Sequence, residues 1–223
     1  MNQQNSEKQP EQAGQAGIQV TTYFAVFFDQ KGEPGELYCE LVPEDGDVKD
    51  EEVEVAKISS TWCEGNLFDE IVLIGPRGRI VTFEIQTAVN KNTPLRAFLN
   101  YGAAMGRLLN RPDIALKMDK TEEPLQMVLP RSLALVLNDP ENCKSLSLKD
   151  VYGEGWSGII EADVTYLHRE DIRKGGILDR YLGVRDRFEK ALRERDARGE
   201  LRTEEDVVHA AFAAFEAFAA SLR

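Results

Sequence analysis

The sequence predicts an α/β (α+β) domain: a mixed central sheet flanked by helices, with a helical C-terminal extension. Three observations carry that expectation. Two apolar runs rich in β-branched residues, Ile71–Ile74 and Ile80–Ile85, flank Gly75-Pro-Arg-Gly78, the punctuation of a hairpin. Thr93-Pro94 then opens a helix, and Met127–Leu137 returns to an extended apolar pattern. From Asp171 onward the chain is charge-dense with apolar residues at helical spacing.

With 223 residues the chain can bury an ample core. Residues 1–17, rich in Gln, Glu and Gly, read as a disordered tail; 18–168 form the core domain and 169–223 the extension. No apolar run approaches 18 residues and the first residues lack an apolar signal segment, so no membrane span is expected. Cys39, Cys63 and Cys143 are odd in number and widely spaced, which fits a reducing cytoplasm and neither a disulfide framework nor a zinc site.

Val20–Phe28 is apolar nearly all round, leaving buried strand and buried helix equally open. The turn at Lys31-Gly-Glu-Pro-Gly35 and the run from Glu36 to Val42 favour a β-hairpin there. In the helix after Thr93, Leu95, Phe98, Leu99, Gly102, Met105, Gly106 and Leu109 mark one face. Its two glycines imply close approach to the sheet, since each costs about 1 kcal/mol against alanine in a helix. Gly153-Glu-Gly-Trp-Ser-Gly158 has the spacing of a phosphate loop, but an extended segment follows it where dinucleotide binding needs a helix N-terminus, so it reads as a plain loop. His168 and His209 lack companion ligands and are assigned structural roles. Thr203 starts the last helix, with Val208, Ala211, Phe212, Phe215, Phe218, Ala219 and Leu222 as its stripe, which packs on the parent domain or forms a homodimer contact.

The acids carry the functional lead. Glu84 sits in mid-strand, with Thr82 and Gln86 on its side and Val81, Phe83 and Ile85 on the other. A lone buried carboxylate is costly without a partner or a metal. An acid on the neighbouring strand would complete a hard-cation site for Mg²⁺ or Mn²⁺. A two-residue turn at Pro76-Arg77 puts Asp69 opposite Glu84, and an odd-numbered loop puts Glu70 there. Gln86 cannot take up a proton but can orient a water or a phosphate oxygen.

An acid, an apolar strand, a turn and an apolar strand ending in Glu84-Ile-Gln86 resembles the core of the PD-(D/E)XK nuclease superfamily, in particular its transposase-associated, recombination-promoting branch, where Gln replaces the usual Lys. The likeness runs over residues 67–140, through Asn92–Tyr101 and Met127–Leu137. It implies a restriction-endonuclease-like fold and Mg²⁺-dependent hydrolysis of DNA phosphodiester bonds. Glu84 with Asp69 or Glu70 would hold the metal, the Ile85 carbonyl would complete its shell, and Gln86 would position the water. The family's N-terminal helix has no clear counterpart here, and Gln86 leaves the site without the usual cation. The competing expectation is an inactive nuclease fold serving as a binding or assembly module; a hairpin that merely mimics the motif in an unrelated interaction protein is a third.

Net charge of −12 opposes nucleic-acid binding, but its distribution does not. Residues 1–70 carry −12, residues 71–131 carry +4 and residues 132–223 carry −4. Arg79, Lys91 and Arg96 are the expected DNA contacts, within a basic rim completed by Arg77, Arg107, Arg111, Lys117, Lys120 and Arg131. The acidic N-terminal segment, with most of its acids between Glu33 and Glu70, is placed to lie over that rim as an internal decoy.

Overall fold

A computed structural model of the chain describes residues 18–19, 33–63, 66–112, 114, 128–139, 141–153, 155 and 163–221. Its frame is a seven-stranded mixed sheet in the order β1-β2-β3-β4-β5-β7-β6. The strands are β1 (Ile18–Gln19), β2 (Glu54–Cys63), β3 (Asn66–Ile74), β4 (Ile80–Gln86), β5 (Arg131–Val136), β6 (Ser145–Leu146) and β7 (Val164–Leu167). Strands β1 to β4 pair antiparallel, β4, β5 and β7 run parallel, and β6 returns antiparallel at the edge. Among the described residues the α-helices are α1 (Pro34–Leu41), α2 (Thr93–Leu109), α3 (Leu148–Tyr152), α4 (Ile177–Ala197) and α5 (Glu204–Ser221). The expected mixed sheet flanked by helices is what forms.

Segment 36–42 is helical, not the second arm of a hairpin. Pro34 at the helix start and Glu36 in the first turn favour α1, and Leu37, Tyr38 and Leu41 bury one face of it. The expectations for Val20–Phe28 and for the tail 1–17 lie outside the described residues. Gly35 is required where it stands: a Cβ there would meet the backbone of Val48 and Lys49 at 2.7 Å.

The extension is no appendage. Ile177, Leu178, Tyr181, Leu182, Phe188 and Leu192 of α4 join Ile71, Leu73, Val81, Phe83, Ile85 and Leu133 in one core with α1. Helix α5 follows a capping box in which Thr203 Oγ1 accepts from the Asp206 amide at 3.2 Å and Asp206 Oδ2 accepts from the Thr203 amide at 2.9 Å. Val207, Ala210 and Ala211 of α5 face inward and Phe212 is exposed, so of the expected stripe Ala211 is buried and Phe212 is not; the side chains of Phe215, Phe218, Ala219 and Leu222 lie outside the described residues. No helix among the described residues is long and apolar enough to cross a membrane.

Helix α2 covers the other face of the sheet with an unexpected side. Thr93, Pro94, Ala97, Asn100, Ala104 and Leu108 are buried, while Leu99 is 60% exposed and Gly102 and Gly106 have open space where a Cβ would project. Ala104 and Leu108 pack on Val72, Ile74 and Ile80; Ala97 packs among Ala134, Val136, Val164 and Tyr166. Small and polar residues face inward because this side of the sheet is itself partly polar, presenting Glu70, Glu84 and Gln86. The two glycines do not serve close approach to the sheet.

Candidate functional site

The β3–β4 connection decides which acid meets Glu84. Ile74 pairs with Ile80, so five residues, Gly75–Arg79, make the turn, with Arg77 at φ 57° and Gly78 at φ 76°. This odd-numbered loop sets Glu70 directly opposite Glu84 and Asp69 opposite Ile85. Because side chains alternate, Glu70, Glu84 and Gln86 face α2 and Asp69 points into the other layer.

Asp69 is therefore not a partner of Glu84, and its surroundings explain its burial. Its carboxylate accepts from Ser60 Oγ at 2.6 Å, Tyr181 OH at 2.6 Å and Arg185 Nε at 2.9 Å. The Arg185 side chain is wholly buried and donates to Glu189 Oε2 at 2.8 Å and to the Leu67 carbonyl. This network ties α4 to the sheet and leaves Asp69 no contact with solvent.

On the α2 face the charges pair in opposite senses. Glu84 accepts from Arg96 Nη2 at 2.7 Å and Nε at 3.2 Å, a two-pronged contact. Glu70 meets Lys57 Nζ at 2.5 Å, accepts from Ser59 Oγ at 3.3 Å and accepts from the Asn100 amide. Lys57 also donates to Asn100 Oδ1 at 3.0 Å. Burial pushes the Glu84 carboxyl above its ordinary range; Arg96 pulls it back, and the Glu70 charge adds to the rise. Lys57 and Ser59 are not singled out by the sequence, because β2 is too polar to advertise itself as a strand beside β3, and Asn100 is not, because a polar residue in α2 reads as part of its exposed side.

Gln86 is fully buried. Its Oε1 accepts from Thr93 Oγ1 at 3.1 Å, and its Nε2 is buried without a hydrogen-bond partner. Ile85 sends its side chain into the opposite core, so that side chain takes no part in the site. No group of three or more His, Cys, Asp and Glu side chains gathers at one point among the described residues. Two carboxylates from adjacent strands, supplemented by backbone and water, still suit Mg²⁺, which is commonly held by one or two carboxylates.

The expected DNA contacts fare unequally. Arg96 is at the site, held by Glu84. Lys91 is exposed in the turn just before α2. Arg79 is not available: Nε and Nη2 both bind Asp45, at 2.9 and 3.0 Å, and only 16% of its side chain is exposed. Arg77 shares Asp45, Arg107 and Arg111 share Glu54, and Arg131 meets Glu44. Three acids of the N-terminal segment, Asp45, Glu54 and Glu44, thus pair with five arginines of the rim; Lys117 and Lys120 lie outside the described residues.

His168 is structural, buried with Nε2 3.2 Å from Asp139 Oδ2, and His209 is exposed beside Glu205. A cleft of about 530 Å³ opens on the far face beside Thr87, Leu137, Arg169, Lys190 and Arg193, away from Glu84. Comparison with known proteins adds no relative to this picture: no family model, no curated protein and no solved structure matches the chain.

Proposed function

We propose that this chain is a Mg²⁺- or Mn²⁺-dependent nuclease that hydrolyses phosphodiester bonds in DNA, of the PD-(D/E)XK type and associated with recombination or transposition. The observation that carries the reading is the cross-strand pairing of Glu70 with Glu84, with Gln86 on the same face. Its setting supports it: helix α1, the antiparallel meander β2-β3-β4, helix α2 and the parallel strand β5 follow in the order the resemblance implies.

Glu70, Glu84 and the Ile85 carbonyl would hold the metal, whose chemistry is to acidify a bound water and offset charge developing on the phosphate. Gln86 contributes an amide pinned by Thr93, leaving Nε2 as the donor for a water or phosphate oxygen. Arg96 and Lys91 lie toward the substrate, and Arg79 belongs to the scaffold. The absence of an ionisable residue at position 86 makes slow turnover the expected behaviour. A cytoplasmic setting fits the free thiols of Cys39 and Cys143. Pairing of two copies through α5 would use the side bearing Phe212, since Val207, Ala210 and Ala211 are taken up by the core.

One observation favours a second reading, an inactive nuclease fold kept for binding or assembly: both carboxylates already carry a cationic partner and Gln86 is sealed. Calorimetric Mn²⁺ titration and nicking of supercoiled plasmid, each on wild type and Glu84→Ala, separate the two. The hydrolase reading expects metal binding and nicking by wild type and loss of both in the variant. Equal metal binding by the two proteins rejects the assignment; absence of nicking by metal-bound wild type leaves the binding module.

A further inference from the structure

Two carboxylates and two cationic side chains meet under α2, and their formal charges cancel. The acids are the fixed part: only 16% of the Glu70 side chain and 8% of that of Glu84 are exposed, and Ser59 and Asn100 hold Glu70 from two sides. The cations are the movable part. Lys57 is 46% and Arg96 36% exposed, and both carry their charge on long stems that can turn the head to another partner while the stem stays packed.

This balance penalises either ligand arriving alone. A divalent cation taking the two carboxylates would strand an ammonium and a guanidinium beside it in a partly desolvated site, and a phosphodiester would meet two carboxylates. Arriving together, the dication satisfies Glu70 and Glu84 while the phosphate oxygens take over Lys57 and Arg96, so no charge is left unmatched. We propose that divalent-cation and phosphodiester binding are coupled at this site by charge exchange through Lys57 and Arg96, so that each tightens the other. The proposal rests on the hydrolase reading and deepens it. Lys57, from the neighbouring strand β2, supplies the anion-facing charge that Gln86 does not.

Coupling of binding free energies is reciprocal, so it can be read from the nucleic-acid side without any turnover. The experiment measures fluorescence anisotropy of a labelled oligodeoxythymidylate with the full chain, in chelator and in saturating Mn²⁺, beside calorimetric Mn²⁺ titration without DNA. Wild type is expected to bind the oligonucleotide at least about fivefold tighter with Mn²⁺, opposite to the weakening that added counter-ions alone produce. Lys57→Met loses most of that gain, Lys57→Arg keeps it, and a methylphosphonate-linked oligonucleotide, which lacks the charge, shows none. Thermal unfolding checks that the variants are folded. Mn²⁺ binding without tightening, or tightening undiminished in folded Lys57→Met, overturns the coupling and leaves the hydrolase reading standing. No Mn²⁺ binding with or without DNA overturns both.

Discussion

Glu70 and Glu84 are partners across β3 and β4, and the residue one step before, Asp69, is turned into the opposite layer against Arg185. Adjacent acids thus have separate duties, and mutation should divide them. Asp69→Ala removes one of the two carboxylates that hold the wholly buried Arg185 and the shared acceptor of Ser60 and Tyr181, and is expected to destabilise the fold by roughly 3–5 kcal/mol. Glu70→Gln keeps an acceptor for Ser59 and faces a half-exposed lysine, so its loss should stay near 1 kcal/mol or below. Urea unfolding of the two variants measures both; a larger loss for Glu70→Gln would reverse the assignment.

Gly102 and Gly106 lie on the exposed side of α2, where an added Cβ meets nothing within 4 Å. Replacing either with alanine should therefore raise stability by about 0.5–1 kcal/mol through helix propensity. Had the glycines faced the sheet, the same changes would force α2 outward and lower it. Thermal melts of Gly102→Ala and Gly106→Ala decide between the two faces.

The hairpin was legible because β-branched runs and turn residues are local signals. Its register was not: it depends on Gly75–Arg79 forming a five-residue connection with Arg77 in a left-handed conformation, and composition does not distinguish that from a two-residue turn. Apolar counting chose the wrong face of α2 because it assumes an apolar floor. Here Asn100 and Thr93 turn inward to serve Glu70 and Gln86. Strand β2 was missed for the same reason, since Lys57 and Ser59 face the site. The short run in α1 spans only two turns, too few for its period to show. Arg185 reads as one more charge on a charge-dense helix, and only the fold reveals its partner.

Glu40 joins α1 to the start of α4, its Oε2 accepting from the Leu178 amide at 3.3 Å while Oε1 is buried without a partner. Burial raises its carboxyl from the ordinary glutamate value of 4.5, more than the Leu178 amide and Arg173 lower it. A raised carboxyl favours the protonated folded form. Its contribution is fully present below the unfolded value and is lost as pH rises through the folded value. Glu40→Gln keeps the cap without the charge, so the variant should match wild type near pH 4 and gain on it toward pH 7. Unfolding free energies across that range check the sign, and a variant that loses ground as pH rises contradicts it.

Asp45 and Glu54 hold four arginines, Arg77 and Arg79 at the β3–β4 turn and Arg107 and Arg111 at the end of α2. Amide substitution of both acids keeps their hydrogen-bonding shape, removes two negative charges and releases the arginines to solvent. If this rim is a nucleic-acid surface masked by the chain's own acids, Asp45→Asn/Glu54→Gln should bind single-stranded DNA more tightly than wild type and with a steeper salt dependence. Each additional phosphate contact adds about 0.7 to the slope of log affinity against log salt for a single strand. Anisotropy titrations between low and physiological salt measure that slope. An unchanged slope means that the arginines, even when freed, do not contact phosphate, and the acids are then cross-braces between β2, the turn before it and the rim.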